Sequence, residues 1–271
     1  MNMKFSLTLA ALVAFAAPAA MAATIVVDDF TTPGGVFSNG GGNPDTAAFA
    51  GPGILGGERY MWVSTDTFPD PRFGTQFEAT GGGLNFTNGT GARGQAVLVY
   101  DGPGTPATTT PFTFKDLPQP PFASSTSADI PVNVTGLGGV DLLAVGGTTA
   151  NTKFSFELNS FDAGGSLDFY AYAFDQSGRI ATYFENLTNP GGQISFSTDL
   201  RLDQFNDPSG IDWTDIGALA FAVESRTFEF DGAIGSISVV PLPASAFLLL
   251  GGLGGLAGMS SAARRRRRRQ A

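Results

Sequence analysis

Between Ala23 and Val239 the apolar residues recur with a period of two, which binds this chain to strands rather than helices. Lys153-Phe154-Ser155-Phe156-Glu157-Leu158-Asn159 alternates cleanly, placing Phe154, Phe156 and Leu158 on one face and polar residues on the other. Ser236-Ile237-Ser238-Val239 repeats the pattern. Gln95–Tyr100 and Ile216–Val223 are more continuously apolar, as central strands covered on both faces are. Further strands are expected at Thr24–Phe30, Arg59–Val63, Leu84–Thr87, Val140–Val145, Leu167–Phe174, Ile180–Glu185, Ile194–Thr198 and Arg226–Phe230. Turn clusters separate them, among them Pro33-Gly34-Gly35, Gly81-Gly82-Gly83, Asn88-Gly89, Asp162-Ala163-Gly164-Gly165 and Asn189-Pro190-Gly191-Gly192. No amphipathic helix of useful length interrupts them. This spacing predicts an all-β chain: an antiparallel β-sandwich of jelly-roll type.

Two stretches break the pattern. Asp101–Pro131 is rich in Pro, Thr and Ser and reads as a long extended surface loop between two halves. Thr31–Gly57 is Gly-rich and reads as mostly irregular. No internal repeat or second domain is evident, so residues 23–239 form one exported domain.

Both ends are addresses. Residues 1–22 carry one positive charge at Lys4, an apolar run, and Ala20-Met21-Ala22 as an A-x-A cleavage site, the layout of a signal peptide. At the other end, Val240-Pro241-Leu242-Pro243-Ala244 precedes an apolar run over 244–263 and six arginines, Arg264, Arg265, Arg266, Arg267, Arg268 and Arg269. About twenty apolar residues suffice, as a transmembrane helix, to cross a bilayer core of about 30 Å. The arginines would hold their end in the cytoplasm and leave the body outside. An ordinary tail anchor with a positive-inside stop would show the same span and charges. Residues 240–271 resemble the PEP-CTERM class of bacterial sorting signals, in its VPLPA variant. The resemblance implies an exosortase-like membrane protease as partner, cleavage near the motif, transient anchoring in the inner membrane of a Gram-negative bacterium, and release or attachment at the cell surface.

Charge and composition exclude much else. Of the 15 basic residues, Lys4 and the terminal arginines lie outside the body, leaving 8 against 24 acidic ones, a net charge of −16. Such a surface repels nucleic acid and anionic lipid. With no cysteine and no histidine, cysteine–histidine zinc sites, cysteine nucleophiles, Ser-His-Asp hydrolysis and imidazole bases are all excluded. An enzyme would have to use a carboxylate pair as glycosidases do, and no pair is marked, so the chain reads as non-catalytic.

The body also resembles galactose-binding-like jelly-rolls through IVVDDFTT, GILGGERY, ARGQAVLVYDG, DWTDIGALAFAVES and FDGAIGSISV. That resemblance implies first and last strands close together and a structural calcium held by Asp28, Asp29, Glu229 and Asp231. Exposed turns flanking strands explain the same acids. Asp203, Asp207, Asp212 and Asp215 do not fit EF-hand spacing and read as a solvated connection. No other cofactor is expected.

Sugar recognition needs aromatic platforms with polar groups beside them. Tyr60, Trp62, Tyr170, Tyr172, Tyr183 and Trp213 are available, and Trp62, Tyr172 and Trp213 are the expected contacts. With 24 phenylalanines and 2 tryptophans, most rings must instead be core. Arg59 and Arg93 lie among glycines and suit either a site or pairing with carboxylates. The leading expectation is a non-catalytic protein of the cell surface or exopolysaccharide matrix. The alternative is a carbohydrate-binding module with a defined sugar site and exopolysaccharide as partner.

Overall fold

The computed structural model describes residues 23–39, 45–67, 74–103, 109–113, 129–162, 164–189, 196–207 and 209–242. In chain order the strands are β1 (Ile25–Asp28), β2 (Gly34–Ser38), β3 (Asp45–Ala50), β4 (Glu58–Thr67), β5 (Thr75–Thr80), β6 (Gly83–Asn88), β7 (Ala92–Tyr100) and β8 (Thr109–Thr113). They continue with β9 (Asp129–Asn133), β10 (Thr152–Phe161), β11 (Ser166–Asp175), β12 (Ile180–Thr188), β13 (Phe196–Arg201), β14 (Ile216–Ser225) and β15 (Asp231–Pro241). Sheet A runs β13-β10-β15-β6-β5-β2, with β1 also paired to β15, and sheet B runs β12-β11-β14-β7-β4-β3. Every pairing is antiparallel. The chain is therefore an all-β sandwich of two antiparallel sheets, of jelly-roll type, with its first strand beside its last.

Alternation sends one set of side chains from each sheet into a shared core. From sheet A come Phe154 and Phe156 of β10, and from sheet B come Phe169 and Phe221, all nearly inaccessible to solvent. Their rings meet edge to face: Phe156 lies 4.9 Å from Phe169 and 5.2 Å from Phe221, centroid to centroid. Such pairs add about 0.5–1.5 kcal/mol beyond their area burial. A second aromatic group closes one end, where Phe161 and Phe230 meet at 5.0 Å. On the outer side of sheet A the chain is polar, and Lys153 reaches across to Asp199 at 2.5 Å.

Sheet B is different, because all ten residues of β14 are buried. One set faces the central core. The other, Ala218, Ala220 and Ala222, joins a second apolar cluster on the outer face, with Ile130, Val132 and Val134 among its members. Ile130 comes from the stretch expected to be an extended loop, and Val132 and Val134 follow just past its end. In fact residues 109–113 and 129–133 pair as a two-stranded ribbon, β8–β9, hydrogen-bonded to neither large sheet.

Other expectations also shift. Thr31–Gly57 contributes β2 and β3 to opposite sheets, their glycines and alanines hiding the alternation. Val140–Val145 is no strand: the Asp141 carboxylate accepts hydrogen bonds from the amides of Leu143 and Ala144 and turns the chain through a short 3-10 segment. Arg226–Phe230 is a loop in which Glu229 takes a left-handed φ of 57°. β5 has no counterpart among the expected strands. The expected signal segment with Ala20 and Ala22, Pro243 and Ala244 of the expected sorting motif, the apolar run 244–263 and Arg264–Arg269 lie outside the described residues. Among the described residues no helix is long and apolar enough to cross a membrane.

Candidate functional site

Cross-strand register assembles the outer face of sheet B in rows. One row is polar: Asn186, Asp168, Glu224, Gln95 and Ser64 lie opposite one another across β12, β11, β14, β7 and β4. The next holds Phe184, Tyr170, Ala222, Val97 and Trp62, and the third Thr182, Tyr172, Ala220, Val99 and Tyr60. The alanines and valines form a low floor between two aromatic walls, Tyr170 and Tyr172 on β11 and Tyr60 and Trp62 on β4. Three strand spacings, about 14 Å, separate the walls. Phe184, nearly half exposed, stacks at a tilt on Tyr170 with centroids 4.9 Å apart.

The polar row has a definite electrostatic structure. Asp168, fully buried, accepts a hydrogen bond from Asn186 Nδ2 at 2.6 Å and a charged pair of contacts from the Arg226 guanidinium. Glu224 stands directly opposite Asp168, is 1% exposed, and its Oε1 has no hydrogen-bond partner. Burial pushes its carboxyl up to about 8; Arg226 works against the shift and the Asp168 charge adds to it. At neutral pH Glu224 is therefore an uncharged acid able to donate or accept. Tyr170 Oη, also buried, makes no hydrogen bond of ordinary geometry, and burial raises its pKa, with Asp168 adding to the shift. Burial raises the Tyr172 hydroxyl likewise. Arg93 lies beyond the row with its guanidinium carbon 4.7 Å from the centroid of the half-exposed Phe228 ring.

Of the expected sugar contacts, the fold brings Trp62 and Tyr172 to this face, both nearly fully buried beneath the β9 side chains. Trp213 is elsewhere: it sits in the central core, edge-on to Phe205 at 5.4 Å. Tyr183 likewise packs toward the core, its hydroxyl donating to Glu185 and pushed up to about 12, chiefly by burial. The acids expected to hold calcium are not gathered. Asp28 faces Ile237, six residues along β15 from Asp231, and its carboxylate is taken by Arg59, Tyr100 and the Phe30 amide. Asp29 accepts from Thr31, and Glu229 accepts from the Gly91 amide. Among the described residues no three acidic side chains converge as metal ligands. Asp207 and Asp212 serve local turns, accepting from the Ile211 and Thr214 amides, and Asp215 accepts from the distant Gln176 side chain.

Sequence reasoning passed over Asp168, Gln95 and Glu224. The available signal was a lone acid inside an aromatic strand, Leu167-Asp168-Phe169-Tyr170, and another closing an apolar run at Val223-Glu224.

No protein-family model matches the chain, and no curated protein is significantly similar to it. Among solved structures it is similar to PfGH50B, at 14% identity over 67% of this chain and 22% of that one, with a TM-score of 0.33. It is also similar to the family 11 carbohydrate-binding module from Clostridium thermocellum in complex with a β-1,3-1,4-mixed-linked tetrasaccharide. There the identity is 12% over 81% of this chain and 96% of that one, with a TM-score of 0.34. An exo-β-agarase aligns at 12% identity over 82% of this chain and 26% of that one, TM-score 0.34. This chain thus spans about a fifth of PfGH50B, and likenesses this distant decide nothing about what it binds.

Proposed function

We propose that the chain is an exported, non-catalytic carbohydrate-binding domain whose ligand face is the outer face of sheet B. The observation that carries this reading is the pairing of aromatic walls, Tyr60 with Trp62 and Tyr170 with Tyr172, above a floor of alanine and valine beside the polar row. Rings stack on the apolar faces of sugars, and buried amide and acid groups read their hydroxyls. The buried, unpartnered Glu224 Oε1 supports it, since a buried polar atom without a partner is one that a ligand hydroxyl can satisfy.

Delivery follows from the ends of the chain: a signal peptide, cleavage after Ala22, and an exosortase-like enzyme acting on Val240–Ala244 while 244–263 spans the inner membrane. The destination is the cell surface or exopolysaccharide matrix. In a second reading the protein is a structural matrix component, favoured by the burial of Trp62, Tyr170 and Tyr172 under β9.

The test is titration of residues 23–242 with neutral and acidic polysaccharides by calorimetry, with calcium and then with EDTA. Saturable binding to a neutral glycan, unchanged by EDTA and weakened at least tenfold by Tyr172→Ala, is expected. No saturable binding to any glycan, from a protein with intact near-UV dichroism, leaves the structural reading. For delivery, Pro243→Ala should leave a larger, membrane-retained species; unchanged mass and release count against the sorting step.

A further inference from the structure

The ligand face is occupied in this structure by the chain itself. Ile130 and Val132 of β9, with Val134 just beyond, are buried against Trp62, Tyr170, Tyr172 and the β14 alanines. Three features distinguish this cover from ordinary core. The β8–β9 ribbon takes no backbone hydrogen bond from either large sheet, so side-chain packing holds it down; a lone two-stranded ribbon has little stability of its own. Its root is pinned independently. Asn133 N–H donates to Asp101 Oδ2 at 2.8 Å, Leu137 N–H to Gly217 O at 2.9 Å, and Val140 N–H to Ile216 O at 2.8 Å. The ribbon can therefore leave without unravelling β14. Finally, the same face of sheet B carries, one row from Tyr170 and Ala222, a buried carboxyl oxygen, Glu224 Oε1, with no hydrogen-bond partner. A permanently closed face would have an apolar residue at position 224, because an unsatisfied buried oxygen weakens the packed state relative to one in which water or a ligand reaches it.

We propose that β8–β9 is a strap that lifts from the outer face of sheet B, and that an uncharged glycan takes the place of Ile130, Val132 and Val134. The second half rests on the carbohydrate reading; the first does not. An uncharged ligand suits the face because the Asp168 carboxylate is already paired with Arg226, while the body around it is strongly acidic. Opening exposes the tyrosine and tryptophan walls together, so affinity is reduced by the fraction of molecules whose strap is closed.

The chain has two tryptophans, one beneath the strap and one in the core, and this makes the test direct. In full-length protein in lipid nanodiscs, Trp213→Phe leaves Trp62 as sole reporter, and Trp62→Phe leaves Trp213. Ile130→Ser with Val132→Ser should raise acrylamide quenching of Trp62 at least threefold and leave Trp213 unchanged. In the unsubstituted chain, hydrogen exchange at β9 amides should outpace that at β14 amides at least tenfold. Equal protection of β9 and β14, or Trp62 and Trp213 becoming accessible only together, overturns the strap. Binding of the neutral glycan laminarin, measured on the same proteins, separates the two ideas. Tightening at least fivefold when the strap is loosened supports both. An open strap with no laminarin or cellohexaose binding overturns the glycan half and leaves the strap standing.

Discussion

Arg59 Nη1 lies 2.7 Å from Asp28 Oδ2 with both side chains fully buried, tying β4 of one sheet to β1 of the other. Tyr100 Oη donates to the same oxygen at 2.9 Å, the Phe30 amide to the other at 2.8 Å, and Arg59 Nη2 donates to Thr32 O at 2.9 Å. Residues that invite a functional reading thus join the two sheets. Removing one partner strands the other charge in a dry interior. Arg59→Met is expected to lower stability by about 3–5 kcal/mol. Adding Asp28→Asn should recover part of that loss, and urea unfolding of both variants measures it.

Glu224 makes stability depend on pH. Its carboxyl titrates near 4.5 when solvated and near 8 in the fold. Below 4.5 both states hold the proton and the group contributes nothing. Between 4.5 and 8 the unfolded chain gives the proton up while the fold keeps it, so stability falls as pH rises. Above 8 the loss is complete, at roughly 3–5 kcal/mol. Glu224→Gln should flatten this limb, making the variant more stable than the parent at pH 9 and similar to it at pH 4. Urea midpoints across that range read the difference, and parallel curves would remove Glu224 as the cause.

Gly217 is where the ribbon root meets β14. A Cβ there would lie 1.6 Å from Val134 O, a backbone atom that cannot step aside alone. Gly217→Ala is expected to cost about 1–3 kcal/mol and to loosen residues 129–137 first. Hydrogen exchange localises the effect, and a loss spread evenly over β7 and β11 would contradict it.

The aromatic core and the surface phenylalanines should separate cleanly. Phe156→Ala removes a ring in contact with Phe169 and Phe221 and is expected to lose about 3–5 kcal/mol. Phe37→Ala, at a position 52% exposed, should change stability by under about 1 kcal/mol. Thermal melts of the pair suffice.

These contrasts show what the sequence carries. Alternation in Lys153–Asn159 marked β10 because its two faces meet different media, water and core, and each residue reports its side. Ile216–Val223 was readable as a strand covered on both faces, and the structure buries both. What covers the outer face was not readable. Ile130 sits in a Pro- and Thr-rich stretch whose composition suggests solvent, Val132 lies just past its end, and their burial comes from tertiary packing across some ninety residues of chain. The candidate site was half visible. Trp62, Tyr172 and Trp213 look alike in sequence, but the parity of each position in its strand or loop decides the side it takes, and Trp213 takes the core. The Asp168–Glu224 opposition depends on the register of β11 against β14, which no local pattern encodes.

β15 runs through Pro241, with Val240 opposite Lys153, Pro241 opposite Thr152, and the Leu242 amide donating to Asn151 O at 2.7 Å. The first three residues of the proposed sorting motif are therefore also the last rung of a ladder. In the processing proposed above, a cut beyond Leu242 would take nothing from the described part of sheet A. A cut before it would pull the closing residues from beside β10, so the place of the proposed cut decides whether sheet A keeps its last rung.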